Sequence, residues 1–226
     1  MAKEQGRPAV HLDVLGLLLA GLINTFLAAF VAGIVLGPGT AAREPDLLRR
    51  IAWISDHTLR WQLGWAFWFA VTLSFAWSYY AIGRHLRSRH PWTSLAIGLA
   101  VIAAAVDIVG VLVYLVVLPL LAQEPIGAAS VFQALESLAN ALVNVTAFGL
   151  YTVAGLLLVP AAFSTPGYPR WLVALGAAEW GIAALATFLL VIFPRLAVVP
   201  LLISFALYAP WVWASAVWLL RRERQA

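Results

Sequence analysis

The chain contains no cysteine. Disulfides, thiolate metal sites and cysteine nucleophiles are therefore excluded, and cysteine usage carries no sign of a redox compartment. Charge is scarce as well. Only 11% of the 226 residues are Asp, Glu, Lys or Arg, against about a quarter in an ordinary soluble domain. The one lysine is Lys3, so no mid-chain lysine is available for a retinal-type Schiff base. No HExxH, GxSxG or phosphate-binding glycine loop occurs, and no metal-ligand spacing. The four histidines, His11, His57, His85 and His90, all fall outside the middles of apolar runs, which argues against a bis-histidine haem. Ser55-Asp56-His57 are adjacent in sequence, whereas a catalytic triad is assembled in space.

What fills the chain is apolar: 63% of it is hydrophobic. That excess predicts an all-α, polytopic membrane bundle with little left for a soluble domain. Six spans are expected, at about 12–36, 61–82, 92–118, 131–159, 171–193 and 196–220. Val14–Leu36 follows a basic start, but it is too long for the apolar core of a signal peptide and reads as the first span. Gly37-Pro38-Gly39 stops it. Pro119 is expected to close the third span and Pro210 to kink the sixth.

Between the first two spans, about 45–59, the pattern is amphipathic. Leu47, Ile51, Ile54 and Thr58 share one side, with Leu48 and Leu59 beside them. Arg49, Arg50, Asp56 and His57 share the other. With Pro45 at its first position, this predicts a helix lying on the membrane surface or over the bundle mouth.

The net charge of +4 follows the loops and marks no nucleic-acid partner, since no soluble basic domain carries it. Lys3, Arg7, Arg84, Arg87, Arg89, Arg170, Arg221, Arg222 and Arg224 fall on one side. Arg43, Arg49, Arg50, Arg60 and Arg195 fall on the other. Nine against five places both termini in the cytoplasm, in a cell inner (plasma) membrane. The surface helix is then extracytoplasmic.

Asp107 and Glu179 fall near the middles of the third and fifth spans, without a mid-span Lys or Arg to pair them. An ionised carboxylate at a helix centre costs about 2.5–3.5 kcal/mol. Either each is kept neutral by a proton, or each faces a wet cavity that binds a proton or cation. Asn24 and Asn144 are expected at similar depth. Together the four would form a midplane site; alternatively they are interhelical hydrogen bonds worth about 0.6 kcal/mol each. Glu136 and Asn140 precede Asn144 at helical spacing and are expected at a cavity rim or a solvated helix end. Asn144-Val145-Thr146 has the form of a glycosylation acceptor but lies inside a span.

An internal echo is visible. VAGIVLGP at 31–38 matches VAGLLLVP at 153–160, each after an asparagine in LINT or LVNVT. Three spans per half would make an inverted repeat of the transporter kind.

Three stretches resemble a bacterial family of six-helix integral membrane proteins known only as a domain of unknown function. These are the surface segment running into the second span (RIAWISDHTLRWQLGWAFWFAVTLSFAWSYYAIGRHL), the fourth span with its loop, and GYPRWLVALGAAEWG. In the last, Val173 and Ala174 replace an expected glycine, with Gly176 a little later. The resemblance implies a fold and a membrane location and no agreed activity.

The expected function is therefore a non-catalytic membrane subunit, holding a lipid or small hydrophobic ligand or packing in a complex. A small proton- or cation-coupled transporter using the two acids is the alternative. An intramembrane lipid-modifying enzyme is a third, lacking a visible base or nucleophile. No cofactor and no metal are expected. The partners would be membrane lipids and either a membrane complex or further copies of the chain.

Overall fold

The computed structural model describes residues 7–86, 91–124 and 128–225. Lys3, Arg87 and Arg89 of the charge count, His90 and loop residues 125–127 lie outside it, as do the side chains of Arg7 and Arg195. Among the described residues the chain is all helical. Seven rods follow in order: α1 (7–36), α2 (Leu47–Asp56), α3 (Thr58–His85), α4 (Pro91–Ala122), α5 (Ala129–Ser164), α6 (Arg170–Ile192) and α7 (Pro194–Gln225).

Five stretches, Val10–Gly39, Pro91–Ala122, Ala129–Ser164, Arg170–Ile192 and Leu196–Arg224, are long and apolar enough to cross a bilayer. The protein is a multi-pass membrane protein on that ground. The 28-residue α3 is long enough but not among the five. It carries Trp61, Trp65, Trp68, Trp77, Tyr79 and Tyr80, rings that hydropathy scales rank low for their polar tips.

Boundaries shifted for identifiable reasons. Asp46, rather than Pro45, opens α2: its Oδ1 accepts from the backbone N–H of Leu48 (2.9 Å) and Arg49 (3.2 Å). His57, at φ −124° and ψ 32°, breaks the chain, so Thr58 and Leu59 belong to α3. Pro119 does not end α4. It falls in the first turn of Leu118–Ala122, after a π-helical stretch Val113–Val117, where its missing N–H costs little. The turn 37–39 stops α1 as expected, as a 3₁₀ turn.

Two further π-helical stretches hold the asparagines: Leu22–Leu27 contains Asn24 and Ala141–Ala147 contains Asn144. For Asn24 a cause is visible. Its Nδ2 donates to the Ala20 carbonyl (2.9 Å), occupying the acceptor four residues back. The echo between the halves thus reaches local structure at the asparagines. It stops at VAGIVLGP, which is π-helical and then 3₁₀, against VAGLLLVP, which stays α-helical.

The six long rods close a ring in which each packs on its sequence neighbours and α7 returns against α1. Two cores fill it. One lies at the end holding Asp13, His85 and the 165–169 turn, and draws on all six long rods through Leu17, Tyr79, Ala103, Tyr151, Trp180 and Tyr208. The other lies under α2 and joins α1–α5 through Ile54, Trp61, Trp65, Tyr114 and Phe132. There Trp65 and Tyr114 stack with centroids 3.9 Å apart. Neither α6 nor α7 contributes to that second core; their hairpin instead exposes Leu185, Phe188, Val191, Leu196, Val199 and Leu202.

Glycines let tryptophans in. A methyl on Gly155 would stand 2.1 Å from Trp180 Cδ2, and one on Gly16 1.9 Å from Trp77 Nε1. Small residues at such contacts are how membrane helices approach without a hydrophobic drive from water.

Candidate functional site

The buried polar groups are met by hydroxyls of α3 and α7. Asn24, Asp107 and Glu179 are all buried, at 1%, 4% and 1% exposure. Each has its own hydroxyl partner. Asn24 Nδ2 donates to Ser74 Oγ (2.5 Å), and Thr72 Oγ1 donates to Asp107 Oδ2 (2.7 Å). Ser204 Oγ donates to Glu179 Oε1 over a longer 3.4 Å. Among the described residues no hydrogen bond joins Asn24, Asp107, Asn144 and Glu179 to one another.

Asn144 sits elsewhere. It is half-buried, and its Nδ2 donates to Asn140 Oδ1 (2.8 Å) on the exposed face of α5. Glu136 is no free rim group. Its Oε1 and Oε2 accept from Arg50 Nε (3.2 Å) and Nη2 (2.7 Å), with both side chains largely buried. Arg50 Nη1 also donates to the carbonyls of Glu44 and Pro45. This corrects the sequence-based face assignment: Arg50 turns inward from α2, while Arg49, Asp56 and His57 stay exposed.

Sequence reasoning missed the hydroxyl partners Ser74, Thr72 and Ser204, and with them the inward face of α3. Thr72, Phe75, Tyr79 and Ile82 follow helical spacing and face inward. Tyr79 Oη donates to the Tyr151 carbonyl (2.5 Å), and Tyr151 Oη donates to the Thr72 carbonyl (3.4 Å). Ser78 Oγ and Tyr208 Oη lie 2.7 Å apart. Tyr79 packs on Trp180 with ring centroids 5.5 Å apart. Thus α3 touches α1, α4, α5, α6 and α7, and this second long rod is the hub of the bundle. Such a spacing of hydroxyl and aromatic residues was the available signal.

The chemistry this permits is limited. Tyr79 and Tyr151 give their hydroxyl protons to backbone carbonyls, which cannot pass a proton onward. Among the described residues no chain of hydroxyls therefore joins the two acids. A cleft lined by Ile82, Leu86, Leu158, Tyr168, Leu172 and Trp211 has a volume of about 10 Å³, room for roughly one water molecule, and none of the six candidate residues lines it. Asn24 Oδ1, Asp107 Oδ1 and Glu179 Oε2 are buried and accept no hydrogen bond from the described residues. No group of three or more metal-ligating side chains occurs among the described residues.

At the opposite end from α2, Asp13 is buried and joins α1 to α3. Its Oδ2 lies 2.7 Å from Arg84 Nε and 2.6 Å from His85 Nε2. Arg222 of α7 donates to the His85 carbonyl. In comparisons with known families, curated proteins and solved structures, the chain matches none.

Proposed function

We propose that the chain is a six-span protein of a bacterial plasma membrane, acting without catalysis as an accessory membrane subunit. In this reading α3 crosses the membrane as the second of the six spans, both termini are cytoplasmic and α2 covers the outer end. The resemblance to the six-helix family of unknown function is part of the same reading. Its main support is the filled interior. Phe75, Tyr79, Tyr151, Trp180 and Tyr208 pack ring on ring between the rods. A lipid or other hydrophobic ligand needs a pocket of hundreds of Å³, far above the cleft described here. That cleft therefore leaves no room for such a ligand.

A proton- or cation-coupled transporter is the second reading. It is favoured by the three partnerless oxygens of Asn24, Asp107 and Glu179. Proton flux in proteoliposomes carrying an internal pH dye, under an imposed potassium diffusion potential, separates the two. The accessory reading expects the same slow leak for the unmodified protein, Asp107→Asn and Glu179→Gln. A fast flux in the unmodified protein that falls tenfold or more in either variant would establish the transporter instead.

A further inference from the structure

The outward face of α5 is unlike the rest of the protein's exterior. Elsewhere the exposed residues of the long rods are mostly apolar, large as at Leu15, Phe26 and Phe30 on α1 or small as at Ala177 and Gly181 on α6. From 130 to 144, α5 exposes Ser130, Gln133, Ala134, Ser137, Asn140 and Ala141, flanked by Val131 and Leu138, with Asn144 half-buried below. Gln133, Ser137, Asn140 and Asn144 recur at helical spacing and form one stripe of uncharged hydrogen-bonding groups. Asn140 and Asn144 lie one and two turns past Glu136, about 6 and 12 Å along the axis. Amides that face lipid are costly, and against another helix they are favourable.

The stripe also has a direction. Asn144 Nδ2 donates to Asn140 Oδ1. Asn140 is left with its N–H donors and Asn144 with its carbonyl oxygen, and among the described residues neither has a partner. One residue offers what the other lacks, so the face is complementary to itself. Two-fold symmetry about the membrane normal sets two such faces side by side, with Asn140 of each copy reaching Asn144 of the other. Ser130, Ala134, Ser137 and Ala141 let the two helices approach closely.

We propose that this face of α5 is the contact of a two-fold homodimer, its occupant a second copy of the chain. The proposal stands independently of the accessory role. Because the chain has no cysteine, single cysteines report contacts cleanly. Ser137→Cys and Ala141→Cys should form disulfide-linked dimers on oxidation in native membranes, and Phe188→Cys, on the exposed α6 flank, should not. Asn140→Leu combined with Asn144→Leu should weaken dimerisation in lipid about tenfold, read by single-molecule photobleaching at decreasing protein-to-lipid ratio. Absent cross-links at 137 and 141, equal cross-linking at 188, or a cross-link from 137 to a different protein each overturns the proposal. The two cysteine variants keep the amides intact, so misfolding of the double leucine variant does not blunt the test.

Discussion

Arg50 shows how much one side chain can carry. It spans from α2 to Glu136 of α5, 86 residues away in sequence, and its remaining donors bind the chain leading into its own helix. Arg50→Ala leaves a carboxylate buried without a cation, and breaking such a pair costs about 3–5 kcal/mol. Thermal unfolding in detergent should show that loss for Arg50→Ala. Arg50→Met with Glu136→Leu should recover most of it, since the desolvation of both charges disappears together. A double variant as unstable as Arg50→Ala would mean that the geometry of the pair, rather than the stranded charge, holds α2 in place. None of this was legible locally. The pattern of α2 sets Arg50 beside Arg49 on a charged side, and nothing in its neighbourhood points to Glu136. Asn24, Asp107 and Glu179 were legible as buried polar groups, because a polar residue in a long apolar run has few places to go. Their partners Ser74, Thr72 and Ser204 were not, since a lone hydroxyl in a span is commonplace.

Among the elements, α3 decides the packing. The length and apolar content that make the other five long rods recognisable are diluted in α3 by tryptophan and tyrosine, and those rings are what the bundle is built on. Trp180 illustrates the fit. It is 1% exposed, held against Tyr79, Tyr208 and Trp211, and its ring lies where a side chain on Gly155 would stand. With neighbours on those sides the ring cannot retreat, so Gly155→Ala should destabilise the protein by about 1–3 kcal/mol. Gly181, on the same helix as Trp180 and with nothing near its Cβ position, is the control: Gly181→Ala should be neutral or slightly stabilising in the same unfolding assay. Rod existence and approximate length were readable from hydropathy runs and from Gly37-Pro38-Gly39. The π-helical stretches were not: the one at 22–27 arises where the Asn24 side chain competes for a backbone carbonyl, which hydropathy does not register.

At the scale of the whole molecule, the ring sets α2 and the start of α5 at one end, and Asp13, His85 and the 165–169 turn at the other. In the proposed topology the second end faces the cytoplasm. Ala42→Cys, exposed near α2, should then react with a membrane-impermeant maleimide in intact cells. Pro166→Cys, exposed in the opposite turn, should react only after permeabilisation. The reverse pattern would invert the topology. Closure of the ring has a further meaning when the protein is made in time rather than viewed complete. The ribosome delivers α7 last, after α1 has waited through the synthesis of every other helix. Until it arrives, Glu179 lacks Ser204, Ser78 lacks Tyr208 and Thr25 lacks the Phe205 carbonyl. A chain truncated before α7 would therefore leave the Glu179 carboxyl and the Thr25 hydroxyl without the partners they have in the closed ring.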